Sequence, residues 1–159
     1  MSLITLSSLE RIAASKLAEM LLAANAANTT KAREQEGKIA VVDVRDDDHI
    51  GGHIRGSLHF PSRSLDATMP TLLRKLENKE VVVFHCALSQ QRGPGAALQY
   101  LREKEAAGAT PGGKTTGTEG EKKLQKVYVL DQGFVGWQEV YGLDERLTEG
   151  YRKELWEEY

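Results

Sequence analysis

A chain of 159 residues fits one domain with one core, taken over 1–159. Its net charge of −2, with 28% charged residues, gives no reason to expect nucleic-acid binding. The one cysteine, Cys86, excludes a disulfide framework and suits a reducing compartment, cytoplasmic with the nucleus as alternative; no apolar run has membrane length and no N-terminal stretch is laid out like a signal peptide.

Helical and strand patterns alternate along the chain. Ser15 can cap a helix over about 16–26, with Leu17, Met20, Leu21 and Leu22 near one face. Residues 27–37 are polar, without an apolar period, and read as a loop; the sequon Asn28-Thr29-Thr30 within it is expected to go unused. Ile39 to Val44 reads as a strand, and Ser57 to Phe60 as a short strand after a Gly-rich turn. Pro70 to Leu76 reads as a helix with Leu72, Leu73 and Leu76 inward. Val81 to Phe84 is a short apolar, β-branched run suited to a buried parallel strand. Gly93 and Pro94 open a further helix, continued by Ala96, Ala97, Leu98, Tyr100 and Leu101, and Val127 to Leu130 completes the readable strands. The alternation predicts an α/β fold: a central parallel sheet with helices on both faces, in three layers.

Residues 105–123, EAAGATPGGKTTGTEGEKK, break this pattern and read as an exposed, mobile insertion. Within it, GATPGGKT at 108–115 satisfies the nucleotide-binding pattern G-x4-G-K-T. That motif requires an apolar strand before it and a helix after it. Here the charged run REKE precedes it and TTGTEGEKK follows, so nucleotide binding is rejected.

The chemistry concentrates in VVVFHCALSQQRGPGAA. Five residues separate Cys86 from Arg92, and the segment lies between a strand's carboxyl end and a helix N-terminus. Open α/β sheets place ligands there. The loop and helix N–H groups make an anion nest, and Arg92 can fork two bonds onto a tetrahedral oxyanion. The same field favours Cys86 as thiolate, the nucleophilic form. Cys86 and Arg92 are therefore the candidate catalytic pair, and Ala87, Leu88, Ser89, Gln90, Gln91 and Arg92 the candidate oxyanion-binding loop. Ser89 is a candidate hydroxyl donor to the thiolate, or else bonds its own backbone. His85 either orients the loop or fills the strand end, and Gly93 supports the helix start. A lone cysteine is otherwise most often a small buried hydrophobe.

HCALSQQRGP resembles the active-site loop of the M-phase-inducer dual-specificity phosphatases and of the related eukaryotic arsenate reductases, both of rhodanese-like fold. VVDVRDDDHIGGHIRGSLHFPS at 41–62 is similar to the family's N-terminal motif, and VYVLDQGFVGWQEV at 127–140 to its closing strand, Gly turn and Trp-bearing helix. The three motifs occur in the family's order; the tail LDERLTEGYRKELWEE resembles the end of small fungal members. The resemblance implies a rhodanese-like three-layer fold and a cysteine-dependent enzyme acting on a small oxyanion or phosphoester.

A phosphate ester needs a proton on its leaving oxygen. The M-phase-inducer phosphatases carry acidic residues within the loop, where this chain has Ala87 and Gln91. The departure favours arsenate reductase chemistry with residual aryl-phosphatase activity over a protein phosphatase. Acids outside the loop would be sought first at Asp43, Asp47 and Glu139. With Cys86 the only thiol, arsenate reduction requires external thiols, and the resemblance implies glutathione with a glutaredoxin and no bound cofactor. A rhodanese-type sulfurtransferase and a non-catalytic binding module are the remaining readings. Sulfurtransferases of the family typically have four intervening residues rather than five, and a binding module would be expected to lose Cys86 or Arg92.

Asp43, at the end of its strand, has a supporting role in the resemblance; it can pair with Arg45 or Arg55, or bond backbone. His49, His53 and His59 cluster around the GGHI turn, but a zinc site is rejected on ligand type and spacing, and His53 is expected to bond backbone in the turn. Trp137 and Trp156 read as packing anchors.

Overall fold

The computed structural model describes residues 5–24, 38–108 and 125–157. The elements are β1 (Glu10–Ile12), α1 (Ala14–Ala24), β2 (Ile39–Asp43), β3 (His53–Ile54), β4 (Leu58–His59), α2 (Leu65–Leu76), β5 (Val81–His85), α3 (Arg92–Gly108), β6 (Lys126–Leu130), α4 (Gly133–Tyr141), β7 (Thr148–Glu149) and α5 (Lys153–Glu157). Five strands form a sheet in the order β1-β6-β5-β2-β4, and every pairing in it is parallel. The side-chain period of two divides each strand between two cores. Ala40, Val42, Val82, Phe84 and Val129 meet Leu65, Met69, Leu72 and Leu76 of α2 and Ala96, Ala97 and Tyr100 of α3. Val41, Val83 and Leu130 point the other way, onto Leu17 and Ala18 of α1 and Phe134 and Trp137 of α4. This is the expected three-layer α/β arrangement.

Several boundaries differ from the sequence reading. Ser15 caps nothing: α1 begins at Ala14, and the Ala13 carbonyl accepts from the N–H groups of Lys16 and Leu17, both at 3.1 Å. Pro70 lies inside α2 rather than at its start. The apolar repeat begins at Leu65, and burial of Leu65 and Met69 on that face outweighs the one hydrogen bond that proline cannot donate. Three short strands, β1, β3 and β7, have no counterpart in the sequence reading. β1 adds an edge to β6, with Glu10 opposite Tyr128, and β3 pairs antiparallel with β7, His53 opposite Glu149. Three residues or fewer carry too little periodicity to be read. The helix α3 runs to Gly108, so the first four residues of the expected 105–123 insertion are helical; the remainder, most of the GATPGGKT stretch and the 28–30 sequon lie outside the described residues. Among the described residues no helix is long and apolar enough to cross a membrane.

The site follows from register. Asp43 of β2 and His85 of β5 sit opposite one another at the carboxyl end of adjacent strands. Val44 continues the contact by donating to the His85 carbonyl at 2.9 Å. The segments leaving β2, β5 and β6 therefore emerge side by side at one edge of the sheet.

Candidate active site

Cys86 follows the last residue of central strand β5 and is 3% exposed, at the base of a cavity of about 350 Å³ lined by Cys86, Ala87, Leu88, Gln90, Gln91 and Arg92. Two backbone donors face its sulfur: the Ser89 N–H at 3.2 Å and the Gly93 N–H at 3.3 Å. The loop can curl this tightly because Ser89 adopts φ 57°, the left-handed region uncommon for residues other than glycine. Gly93 brings the helix start under the loop, where a Cβ would lie 3.2 Å from the His85 Cα. Ser89 was expected to offer its hydroxyl to the sulfur. The donor is instead its backbone N–H, while the buried hydroxyl has no hydrogen-bond partner among the described residues. The Ser89 carbonyl accepts from Arg11 Nη1 at 3.1 Å, so the edge strand also holds the loop.

From behind, the loop rests on α4. The N–H groups of Phe134 and Val135 donate to the carbonyls of Cys86 and Ala87 at 3.0 and 2.9 Å. The approach is close enough that a Cβ on Gly133 would meet the Cys86 carbonyl oxygen at 2.6 Å. Gln132 and Gly133 both have positive φ, 65° and 56°, turning the chain from β6 directly into this helix.

Beneath the loop lies a buried charged network. Arg45 and Asp43 are both fully buried and pair through Nη2–Oδ2 at 2.7 Å and Nε–Oδ1 at 3.0 Å. Arg45 also donates to the Gly52 carbonyl at 2.9 Å and lies 4.4 Å above the Phe134 ring. Of the two arginines that Asp43 could have paired with, Arg45 is the partner; Arg55 donates to the Glu145 carbonyl. Burial pushes the Asp43 carboxyl up, but His85 and Arg45 outweigh it and the net direction is downward. His85 is fully buried; its Nδ1–H donates to the Cys86 carbonyl at 3.1 Å, and its Nε2 lies 3.7 Å from Asp43 Oδ2. Burial pushes its imidazole pKa down, against the opposing pull of Asp43 and the Cys86 carbonyl. His85 and Asp43 thus lie behind the loop, outside the residues that line the cavity.

Arg92, the first residue of α3, carries the contact that sequence reasoning missed. Its Nη1 and Nη2 meet Asp48 Oδ1 and Oδ2 at 2.8 and 2.6 Å, and Nη1 also meets Asp46 Oδ2 at 3.3 Å. Hydrogen bonding from Arg92 holds the Asp48 carboxyl at about 2, and Arg92 is raised in turn. Asp46, despite some burial, is also lowered, by Ser62, Arg63 and Arg92. Of the acids expected outside the loop, Asp43 is committed to Arg45, Asp47 faces Arg63 at 3.1 Å and Glu139 is exposed. The DDD run signalled charge, but not which two of its three carboxylates turn inward.

The histidines form a stack beside this loop, His49 on His59 at 3.7 Å between ring centroids. His53, expected to bond backbone, instead meets the Glu149 carboxylate at 3.2 Å. Among the described residues no group of three or more His, Cys, Asp or Glu side chains could hold a metal ion. Trp137 is fully buried and donates to Thr148 Oγ1; Trp156 packs on Phe134 and donates to the Gly51 carbonyl at 2.9 Å.

The model of the rhodanese-like domain matches residues 26–140. The chain belongs to the rhodanese-like family. A CDC25-like phosphatase of Saccharomyces cerevisiae is 38% identical over 140 residues, covering 81% of this chain and 83% of that protein. An arsenate reductase of Oryza sativa is 36% identical over 129 residues, covering 79% and 72%. Among solved structures, Ygr203w, described as a yeast protein tyrosine phosphatase of the rhodanese family, superposes with a TM-score of 0.71 at 32% identity, over 97% of this chain and 99% of that one. The As-Sb reductase of Leishmania major superposes at 0.61 with 26% identity, over 89% and 85%. This rhodanese-like chain thus sits between relatives named as phosphatases and relatives named as arsenate reductases.

Proposed function

We propose that this protein is a cysteine-dependent oxyanion enzyme, an arsenate reductase with accompanying aryl-phosphatase activity. The observation that carries the reading is a Cys-x5-Arg loop in which two N–H groups face the Cys86 sulfur and no side chain is a carboxylate. The relatives named as arsenate reductases, at 36% and 38% identity, support it. In this reading Cys86 attacks arsenic, and the loop N–H groups with Arg92 hold the remaining oxygens. Arsenate releases only water or hydroxide and depends little on a placed acid. The nearest carboxylates to Arg92, Asp46 and Asp48, are both held ionised and are poor acids.

Two external thiols then complete the reaction. Arsenic(V) gains two electrons to become arsenite, the two thiols lose two electrons as one disulfide, and one oxygen leaves as water. Glutathione and a glutaredoxin fit this role, in a reducing compartment such as the cytoplasm or nucleus. Aryl phosphates react at the same cysteine because their leaving oxygen needs little protonation.

A protein phosphatase is the second reading, favoured by the yeast relative and by Ygr203w. One experiment divides the two: arsenate reduction with glutathione and glutaredoxin, beside hydrolysis of aryl phosphates and phosphothreonine peptides. Thiol-dependent arsenite formation and a steep dependence on leaving-group pKa are expected, both lost in Cys86→Ser. Rapid phosphopeptide hydrolysis without arsenate reduction would replace the first reading by the second. Turnover retained in Cys86→Ser above a few per cent would end both.

A further inference from the structure

Arg92 has five N–H donors in a planar fork. Asp48 takes one from each Nη, across the end of the guanidinium, and Asp46 also accepts from Nη1. The Nε–H and the second Nη2–H remain, side by side along one edge, with no carboxylate partner among the described residues. Two parallel donors on one edge are what a tetrahedral oxyanion accepts. Arg92 lines the same cavity as Cys86.

The two carboxylates are themselves fixed independently of Arg92. Asp46 Oδ2 accepts the Ser62 hydroxyl at 2.6 Å, and its Oδ1 accepts the Arg63 N–H at 2.9 Å. Asp48 Oδ1 accepts the Asp46 N–H at 2.9 Å. The segment carrying them is tied down further on, where the Trp156 indole and the Arg152 N–H donate to the Gly51 carbonyl. The carboxylates are thus a preformed wall, while Arg92 is a long side chain that needs one. The loop supplies no such partner, since Ala87 to Gln91 carry no charge.

We infer that Asp48, supported by Asp46, is a positioning residue that locks Arg92 with its Nε edge presented to the bound oxyanion. The role rests on the proposed oxyanion chemistry of the loop. A different role for the same pair would be an anion mimic, with Asp48 occupying Arg92 in the substrate's place. The two roles differ in sign. A mimic must leave before an anion binds, so its removal tightens binding. A positioning carboxylate holds the rotamer, and its removal weakens binding.

The experiment measures inorganic phosphate binding by calorimetry in wild type, Asp48→Asn, Asp48→Ala and Asp48→Glu, and repeats Asp48→Ala in an Arg92→Lys background. Arg92→Lys alone is the reference for that background. Thermal unfolding of each variant checks the fold. Weakening of about tenfold is expected for Asp48→Ala, less for Asp48→Asn, with partial recovery in Asp48→Glu and no further loss once Arg92 is lysine. Phosphate should also move the Arg92 Nε–H resonance in wild type and not in Asp48→Ala. Tighter or unchanged binding in Asp48→Ala overturns the inference, as does an Nε–H resonance that phosphate leaves in place. No phosphate binding by wild type overturns it as well. The readout is binding, not turnover, so a failure to reduce arsenate or to hydrolyse esters would leave these outcomes legible.

Discussion

Gly133→Ala tests how the cysteine loop is held from behind. The added Cβ would meet the Cys86 carbonyl oxygen at 2.6 Å and also overlap the Ala87 carbonyl, both backbone atoms that cannot rotate away. The backbone at this position has φ 56°, which costs a residue with a Cβ about 1–2 kcal/mol. Relieving the overlap requires α4 to retreat, which gives up the bonds from the Phe134 and Val135 N–H groups to the loop. Each is worth about 0.5–1.5 kcal/mol net. The sum is a destabilisation of about 2–5 kcal/mol, or on the order of 10 °C in Tm for a chain of this size. The functional loss should exceed the stability loss under native conditions, because a shift of about 1 Å in a catalytic group can cost about a hundredfold. Urea unfolding and aryl-phosphate kcat/KM, measured on the same preparation, check both. A variant within about 0.5 kcal/mol of wild type, with unchanged kcat/KM, would refute the idea that α4 supports the loop through this contact.

Gly95 gives the opposite expectation on the same fold: it lies in α3 with nothing within 4 Å of an added Cβ, so Gly95→Ala should stabilise by about 0.5–1 kcal/mol in the same urea assay. Asp43→Asn should destabilise by about 3–5 kcal/mol, since it leaves the fully buried Arg45 without its counter-charge; chemical unfolding measures it. Asp43, Asp46 and Asp48 all have folded carboxyls below their ordinary 3.8, so their stabilisation is fully present above about pH 4 and is lost as pH falls through the folded values, about 2 for Asp48. An acid-unfolding titration should therefore steepen below pH 4, and Asp43→Asn should show a shallower slope there.

The order of local elements is legible from near neighbours in the chain. Val81 to Phe84, the five residues between Cys86 and Arg92, and the Gly-Pro start of a helix specify strand, loop and helix in that order, because period and backbone preference act between near neighbours. From that placement the cysteine, the arginine and the candidate oxyanion loop between them were legible, and the alternation of strands and helices was enough for the three-layer fold. The tertiary structure decided everything that depended on which loops meet at the sheet edge. Asp46 and Asp48 reach Arg92 across more than forty residues of sequence. Gly133 is needed because α4 presses on the Cys86 carbonyl, and a glycine in a turn does not say what it touches. Ser89 supplies its N–H rather than its hydroxyl because the loop's left-handed turn aims the backbone at the sulfur. Composition cannot choose among three adjacent aspartates. The parallel register that sets Asp43 beside His85 carries their loop against the cysteine loop, and the Ser62 and Arg63 donors hold Asp46 inward.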